Sequence, residues 1–487
     1  MELTVTIDPH AEALGVMIRD RYEPLDLFAL VPQLQLAFEP ELAELDTLLE
    51  VDVLFQAVKA EMARRAPNSL RRGRHSTPVE VVLRMLVVRR LYDWSYADTE
   101  RFVGDSLVLR RFCRLYLERA PDGTTLIRWA KLVRPETLEQ LHVHVVRLAC
   151  DLRVTRGFKL RTDGTVVEAA IRYPRDSGLL ADGVRVLGRV VRRATDLVGG
   201  VGAVVGGAGA ATAALCRDRT RSATRLARAI GETARQRGEA AAAARQTAYR
   251  KLLAVARASL RQAVAVRGHL VATAERAAQR LVGQLDRFVP LVARVVDQTQ
   301  RRVLRGEAVP AGEKLLSLFA PRTAVIRRGK AGKATEFGRK VWLDETDGGI
   351  ISRYAVLGGN PPDADHLTPA LAHHRRLFGR PPRVVAADRG VYSPENERAA
   401  QQAGVDQVAL PKPGRCTSDR RRHERQAWFR RAMRFRAGAE GRISVCKRRG
   451  YLGRCRDTGE DGLERWVGWG ILTANLSTIA RSVAARA

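Results

Sequence analysis

With 487 residues and 84 Lys and Arg against 53 Asp and Glu, a formal net charge of +31, the chain has room for roughly two to four domains and is charged to meet a polyanion, most economically nucleic acid. Its six cysteines form no CxxC pair and no metal-finger spacing, which argues against a disulfide scaffold or zinc finger and for reduced cytosolic thiols. The opening MELTVTIDPHAEALG lacks a basic-then-apolar signal pattern, so a cytoplasmic protein is expected.

In chain order, the pattern from Glu44 to Arg65 predicts a helix that ends near Pro67 and the basic cluster Arg71, Arg72 and Arg74. Thr77-Pro78 is a helix entry, followed by Val79, Val82, Leu83 and Leu86 at helical spacing. Ser95 with Asp98 reads as a capping pair for a helix through Phe102. Another helix begins near Ser106 and carries Arg110 and Arg111 beside Phe112. Pro121-Asp122-Gly123 makes a turn, after which Thr124 or Thr125 caps a helix through Val133. Four short helices with tight joints and outward arginines predict an all-α, helix-turn-helix-like DNA-binding domain over 1–150, with Arg110 and Arg111 as phosphate contacts.

The period changes at Gly157. Phe158–Asp163 alternates, and Gly164–Ile171 continues as a strand, placing Asp163 where a strand could hold it toward a site; Asp-Gly is also a turn signal. Residues 151–176 form the first part of the core. From 177 to 310 the chain is rich in Ala and Arg and predicts long helices, an insertion paired as a hairpin or coiled coil. Within it Leu197–Cys216 is uncharged over a bilayer's length, but six glycines make it a joint rather than a membrane span.

Strand patterns return at Glu336–Asp344 and Ile350–Leu357 as an antiparallel pair around Gly348-Gly349. A helix over Asp365–Phe378, a buried strand over Arg383–Asp388, a helix from Pro394 and a strand over Gln407–Leu410 follow. The basic loop Arg415–Arg425 then leads to a helix bearing Glu440, and 311–487 completes the core and tail. Strand, strand pair, helix, strand, helix, strand, helix is the order of an RNase H-like α/β core. The fold class expected is therefore α/β: an RNase H-like mixed-sheet catalytic core interrupted by a long helical insertion and preceded by an all-α domain.

Glu440 is a lone acid in a run of bases; a metal ion is a natural partner for it, and an i, i+4 ion pair on a solvated basic helix is the plain alternative. On a helix, Arg436, Glu440 and Lys447 share one face, setting a carboxylate between two phosphate-seeking cations. Asp163, Asp388 and Glu440 fall where an RNase H-like core keeps its metal ligands. Among other acids, Glu168 points to the opposite face of a flat strand, and Asp344 and Asp347 read as turn residues. His373, His374 and His423 read as surface residues, and Trp428, Trp466 and Trp469 as packing anchors.

The stretches RTDGTVVEAAIRYPRDSGLL (161–180), EFGRKVWLDETDGG (336–349), GNPPDADH (359–366), AADRGVYS (386–393) and GAEGRISVCKRRGYLGRCR (438–456), with STPVEVVLRMLVVRRLYDWSYADTERFV and PDGTTLIRW upstream, resemble the DDE transposases of bacterial insertion sequences, in the ISNCY-like group with an N-terminal helical domain. A Tyr-x2-Arg-x3-Glu-x6-Lys signature seen in some members is matched by Arg436, Glu440 and Lys447, with Met433 at the tyrosine position. The resemblance implies Mg²⁺-dependent DNA cleavage and strand transfer, with Asp163 bridging two ions and Asp388 and Glu440 each holding one. Mn²⁺ is a possible substitute. Two-metal chemistry sets the ions about 4 Å apart, so the three carboxylates must converge in space. Arg436 and Lys447 would grip phosphates, with Arg442 and Arg389 beside them. The partners implied are double-stranded DNA, as element terminal inverted repeats and target, and a second copy of the chain for synapsis, at the nucleoid and without a membrane. An RNase H-like nuclease or resolvase without strand transfer, or a silent DNA-binding derivative, would share these features.

Overall fold

The computed structural model describes residues 16–23, 38–64, 74–202, 217–271, 275–327, 335–459 and 461–486. They divide into two compact units, one from 1–170 with 339–487 and one from 171–338. The first unit begins with helices α1 (Pro40–Leu48), α2 (Asp52–Ala63), α3 (Val79–Leu91), α4 (Tyr96–Asp105), α5 (Leu107–Phe112), α6 (Gly123–Leu132) and α7 (Pro135–Asp151). The single helix expected over 44–65 is two, α1 and α2. Side-chain caps set the later starts. Ser95 Oγ accepts from the Asp98 amide at 3.0 Å and Ser106 Oγ from the Leu109 amide at 3.3 Å. The cap of α6 is Asp122, whose carboxylate accepts from the Thr125 amide at 2.8 Å, rather than Thr124 or Thr125 themselves. Strand β1 (Lys159–Glu168) runs straight through Asp163-Gly164, so that pair is not a turn here. The basic cluster Arg71–Arg72 lies outside the described residues, as does the side chain of Arg74.

Among its described residues the second unit has the α-helices α8 (Asp176–Gly202), α9 (Thr220–Thr233), α10 (Glu239–Val271) and α11 (Arg276–Thr299), and strand β2 (Ala324–Arg327). Their shared core is Leu180, Leu187, Val191, Ile230, Leu252, Val266, Leu285 and Val292. Gly183 lets α8 approach α11, since a Cβ there would meet Val292 at 2.9 Å. Of the Gly-rich stretch read as a joint, α8 takes in the part up to Gly202, and 203–216 lies outside the described residues. No helix among the described residues is long and apolar enough to cross a membrane.

Strand β3 (Thr335–Thr346) starts in the second unit, where residues 335–338 pair antiparallel with β2, and continues into the first. There follow β4 (Ile351–Val356), α12 (Leu367–Phe378), β5 (Val384–Ala386), α13 (Pro394–Gln402), β6 (Gln407–Ala409), α14 (Ser418–Glu424), α15 (Ala427–Arg448) and α16 (Gly462–Ala484). β4 returns antiparallel along β3 after a turn at Asp347–Gly349, where Gly348 and Gly349 take φ of 76° and 75°. In the first unit β4, β3, β1, β5 and β6 lie side by side, and β1, β5 and β6 run parallel. Alternation sorts the faces. Leu160, Val385 and Val408 meet α12 and α13 residues such as Leu371 and Ala400, while Ala386 and Ala409 meet Phe429 and Ala432 of α15. By the same period, Arg161 and Asp163 face α15.

The N-terminal helices share their core with the C-terminal end of the chain: Leu45, Val82, Leu86 and Leu138 pack with Trp469, Leu472 and Leu476 of α16. Polar ties reinforce the join. Arg89 reaches Asp457 at 2.9 Å, and Arg90 lies 3.5 Å over the Trp466 ring and donates to the Gly450 and Tyr451 carbonyls. Full burial drops the Arg90 guanidinium to about 9. His142 of α7 sits 2.7 Å from the Ile351 carbonyl, held below its ordinary value at about 4 by burial. Trp466 and Trp469 are packing anchors, as expected. Gly470 marks the tightest point of the join, because a Cβ there would overlap the Tyr451 carbonyl oxygen and lie 2.8 Å from Arg90 Nη2. Gly470→Ala should therefore cost about 2 kcal/mol or more in urea unfolding, whereas Gly441→Ala, at an open position inside α15, should gain roughly 0.5–1 kcal/mol.

Candidate active site

The site grows from α15, which lies along one face of the parallel strands β1, β5 and β6. Along α15 the residues Phe429, Ala432, Ala439 and Cys446 are buried, with Ile443 packed beside them, a stripe at helical spacing laid on the sheet. Arg436 falls inside that stripe, with only 16 % of its side chain exposed. An arginine pressed against a sheet needs anionic partners, and three supply them. Nη2 lies 3.4 Å from Asp163 Oδ2 and 3.7 Å from Asp388 Oδ2, and Nη1 lies 3.0 Å from Glu440 Oε1. The two aspartate oxygens are thus no farther apart than those two legs together, about 7 Å.

Each acid has its own setting. Asp163, on β1, is 15 % exposed, and its Oδ1 accepts from the Gly164 amide at 2.7 Å. Burial raises its pKa above the ordinary value, while the Arg436 charge and the Gly164 bond pull it back. Asp388 follows β5 at the carboxyl end of a parallel strand, 36 % exposed, and caps the turn Arg389–Val391 through the Gly390 amide at 3.0 Å. Glu440 is 71 % exposed, one turn beyond Arg436, so it is the acid with most freedom to move. Among the described residues no group of three or more His, Cys, Asp or Glu is arranged to hold a metal ion; the cation between the three acids is Arg436.

The other residues singled out in the sequence divide. Arg389 is exposed next to Asp388. Lys447 is half-buried on α15, two turns past Glu440. Arg442 turns to α16 and donates to Thr478 Oγ1 at 2.9 Å. Arg110 is not an outward cation: it donates to the Gly104, Tyr116 and Glu118 carbonyls at 2.7–3.1 Å and staples the loop after α5. Arg111 lies 5.4 Å over the Phe38 ring.

Sequence reasoning passed over a second pair beside the acids. Lys340 on β3 donates to Asp363 and, at 3.0 Å, to the Pro361 carbonyl. A Cβ at Gly390 would lie 3.2 Å from Asp363 Oδ2 and 3.3 Å from Asp388 Oδ1, so Asp363 borders Asp388. The GNPPDADH stretch was the available sign. His374 is buried, not on the surface: its ring nitrogen meets the Gly157 carbonyl at 3.0 Å, and burial holds it near 4.

Asp347 is a turn residue whose carboxylate accepts the Arg156, Phe158 and Lys159 amides. Asp344 lies instead inside β3, buried between Trp342 Nε1 at 3.0 Å and Arg353 at 2.9 Å. Burial raises its carboxyl from 3.8 to about 6. A folded value above the unfolded one contributes stability that is present below about pH 4 and lost as pH rises through 6. The stability of the wild type relative to Asp344→Asn should therefore fall between pH 4 and pH 8 by about 3 kcal/mol in urea unfolding. A relative stability that rises over that range would mean the Arg353 charge outweighs burial.

The fold and site thus define a mixed α/β protein with three acids gathered on one arginine at the end of parallel strands. Residues 30–132 match the family model described as Transposase domain (DUF772). No curated protein and no solved structure gives a match.

Proposed function

We propose that the chain is a DDE-type transposase that binds the ends of an insertion sequence and cuts and joins DNA strands at Asp163, Asp388 and Glu440. One observation carries the reading: three carboxylates far apart in the chain come to a single guanidinium, in a structure whose N-terminal helices match a transposase domain. The element order around β1, with an antiparallel pair on one side and parallel strands on the other, supports an RNase H-like core.

The donor set fits Mg²⁺, which takes hard carboxylate oxygens and keeps several waters, so that no His or Cys is needed. Asp163, Asp388 and Glu440 would hold the ions, with Mn²⁺ as a substitute. Such ions supply Lewis-acid stabilisation of the attacking and leaving oxygens of an in-line displacement at phosphorus. The chain's own residues do the rest. Asp163 on β1 and Asp388 just after β5 would present carboxylates from the sheet side, and the more exposed Glu440 would supply the third from α15. Arg436, released from the acids, would fork onto phosphate oxygens, and Lys447 and Arg389 are proposed as further phosphate contacts. Inverted-repeat ends and target DNA are the substrates proposed, with two copies of the chain bringing two ends together at the nucleoid.

The test uses labelled duplex carrying the DNA sequences that border the gene, where the reading expects inverted repeats, with Mg²⁺. Nicked and joined products are expected from the wild type, and Asp388→Asn should lose at least about 1,000-fold in rate while its DNA affinity stays within threefold. Cleavage without joining would favour a nuclease, and binding without chemistry in either protein would sink the reading.

A further inference from the structure

Two of the three acids, Asp163 and Glu440, sit on different elements, β1 and α15, and one side chain bolts these together. Arg161 lies two residues before Asp163, on the same face of β1. Its guanidinium takes Glu345 of neighbouring β3 in a fork, Nε to Oε2 at 2.9 Å and Nη2 to Oε1 at 2.6 Å. Both side chains are largely buried. The remaining nitrogen, Nη1, donates at 2.5 Å to the carbonyl of Phe435, the residue before Arg436. The same guanidinium lies 4.7 Å over the Phe435 ring. Gly438 is part of the fitting, since a Cβ there would overlap Arg161 Nη1. One planar group therefore fixes β1, β3 and the middle turn of α15, within one residue of Arg436 and five of Glu440.

We propose that Arg161 is a positioning residue which, locked by Glu345 and admitted by Gly438, sets the distance between Asp163 on the strand and Glu440 on the helix. It rests on the transposase reading above, but touches neither the acids nor DNA. Geometry of this kind is worth much in rate, because a displacement of about 1 Å at a reacting centre costs on the order of 100-fold. Lysine cannot replace it: an ammonium can keep the charge beside Glu345 but cannot fork onto the carboxylate and reach the Phe435 carbonyl at once.

The experiment compares wild type, Arg161→Lys and Glu345→Gln in the labelled-duplex assay with Mg²⁺, alongside hydrogen–deuterium exchange of the full chain. Both variants should remain folded by far-UV circular dichroism at the assay temperature, lose about 100-fold in kcat with KM for DNA within twofold, and exchange the amides of 436–442 at least tenfold faster. A raised KM with kcat kept would make Arg161 a DNA contact and overturn the assignment. So would lost kcat with unchanged exchange, or unchanged kcat in a folded variant. A wild type that neither nicks nor joins DNA defeats the transposase reading instead, and the exchange of 436–442 then decides by itself whether Arg161 holds the helix.

Discussion

The packing of α15 across the carboxyl ends of β1, β5 and β6 is the constraint on which the site depends. A helix laid on a sheet presents one stripe, and every residue in that stripe is either apolar or must bring its own partners. Arg436 occupies such a place, between Ala432 and Ala439. Its charge is tolerated because the sheet offers Asp163 and the strand end offers Asp388, while its own helix offers Glu440. The converse also holds. Three carboxylates this close repel one another, and removing their shared cation would leave Asp163 half-buried beside two like charges. Arginine and acids thus hold one another in this corner by mutual charge compensation.

A few of the chain's arginines are turned inward. Arg84 is buried against Asp46, Glu80 and the Phe112 carbonyl; Arg89 and Arg90 join the N-terminal helices to the C-terminal stretch; Arg110 holds a loop; Arg161 bolts a strand to a helix. Guanidinium suits these roles because its fork of donors satisfies several carbonyls or both carboxylate oxygens at once, and its face stacks on Tyr, Trp and Phe. A net charge of +31 thus overstates the surface available to a polyanion. Which arginines face outward depends on packing, and composition is blind to that.

Local patterns in the chain were legible in proportion to how local their causes are. The Ser95 and Ser106 caps, the Gly348-Gly349 turn, the alternating strands and the Pro394 helix entry rest on neighbours within four residues, and these stand in the structure. Asp122 takes the cap expected of Thr124 or Thr125 because its carboxylate, just ahead of the helix, reaches the Thr125 amide three residues on. Where the cause is a distant partner, the reading went astray. Arg110 looked outward on a helix surface but folds back onto carbonyls of its own loop, His374 looked like a surface residue, and Asp344 looked like a turn residue although it pairs with Arg353 across a strand.

The sequence by itself determined the run of elements, the switch of period at Gly157 and the choice of Asp163, Asp388 and Glu440 as acids worth watching, because periodicity and residue chemistry are properties of short stretches. Only the tertiary structure decided that these acids share Arg436, that Arg161 and Glu345 stand behind them, and that the N-terminal helices share a core with α16. Those facts join residues hundreds of positions apart, and their energy comes from burial and charge pairing in space, which leave no period in the chain.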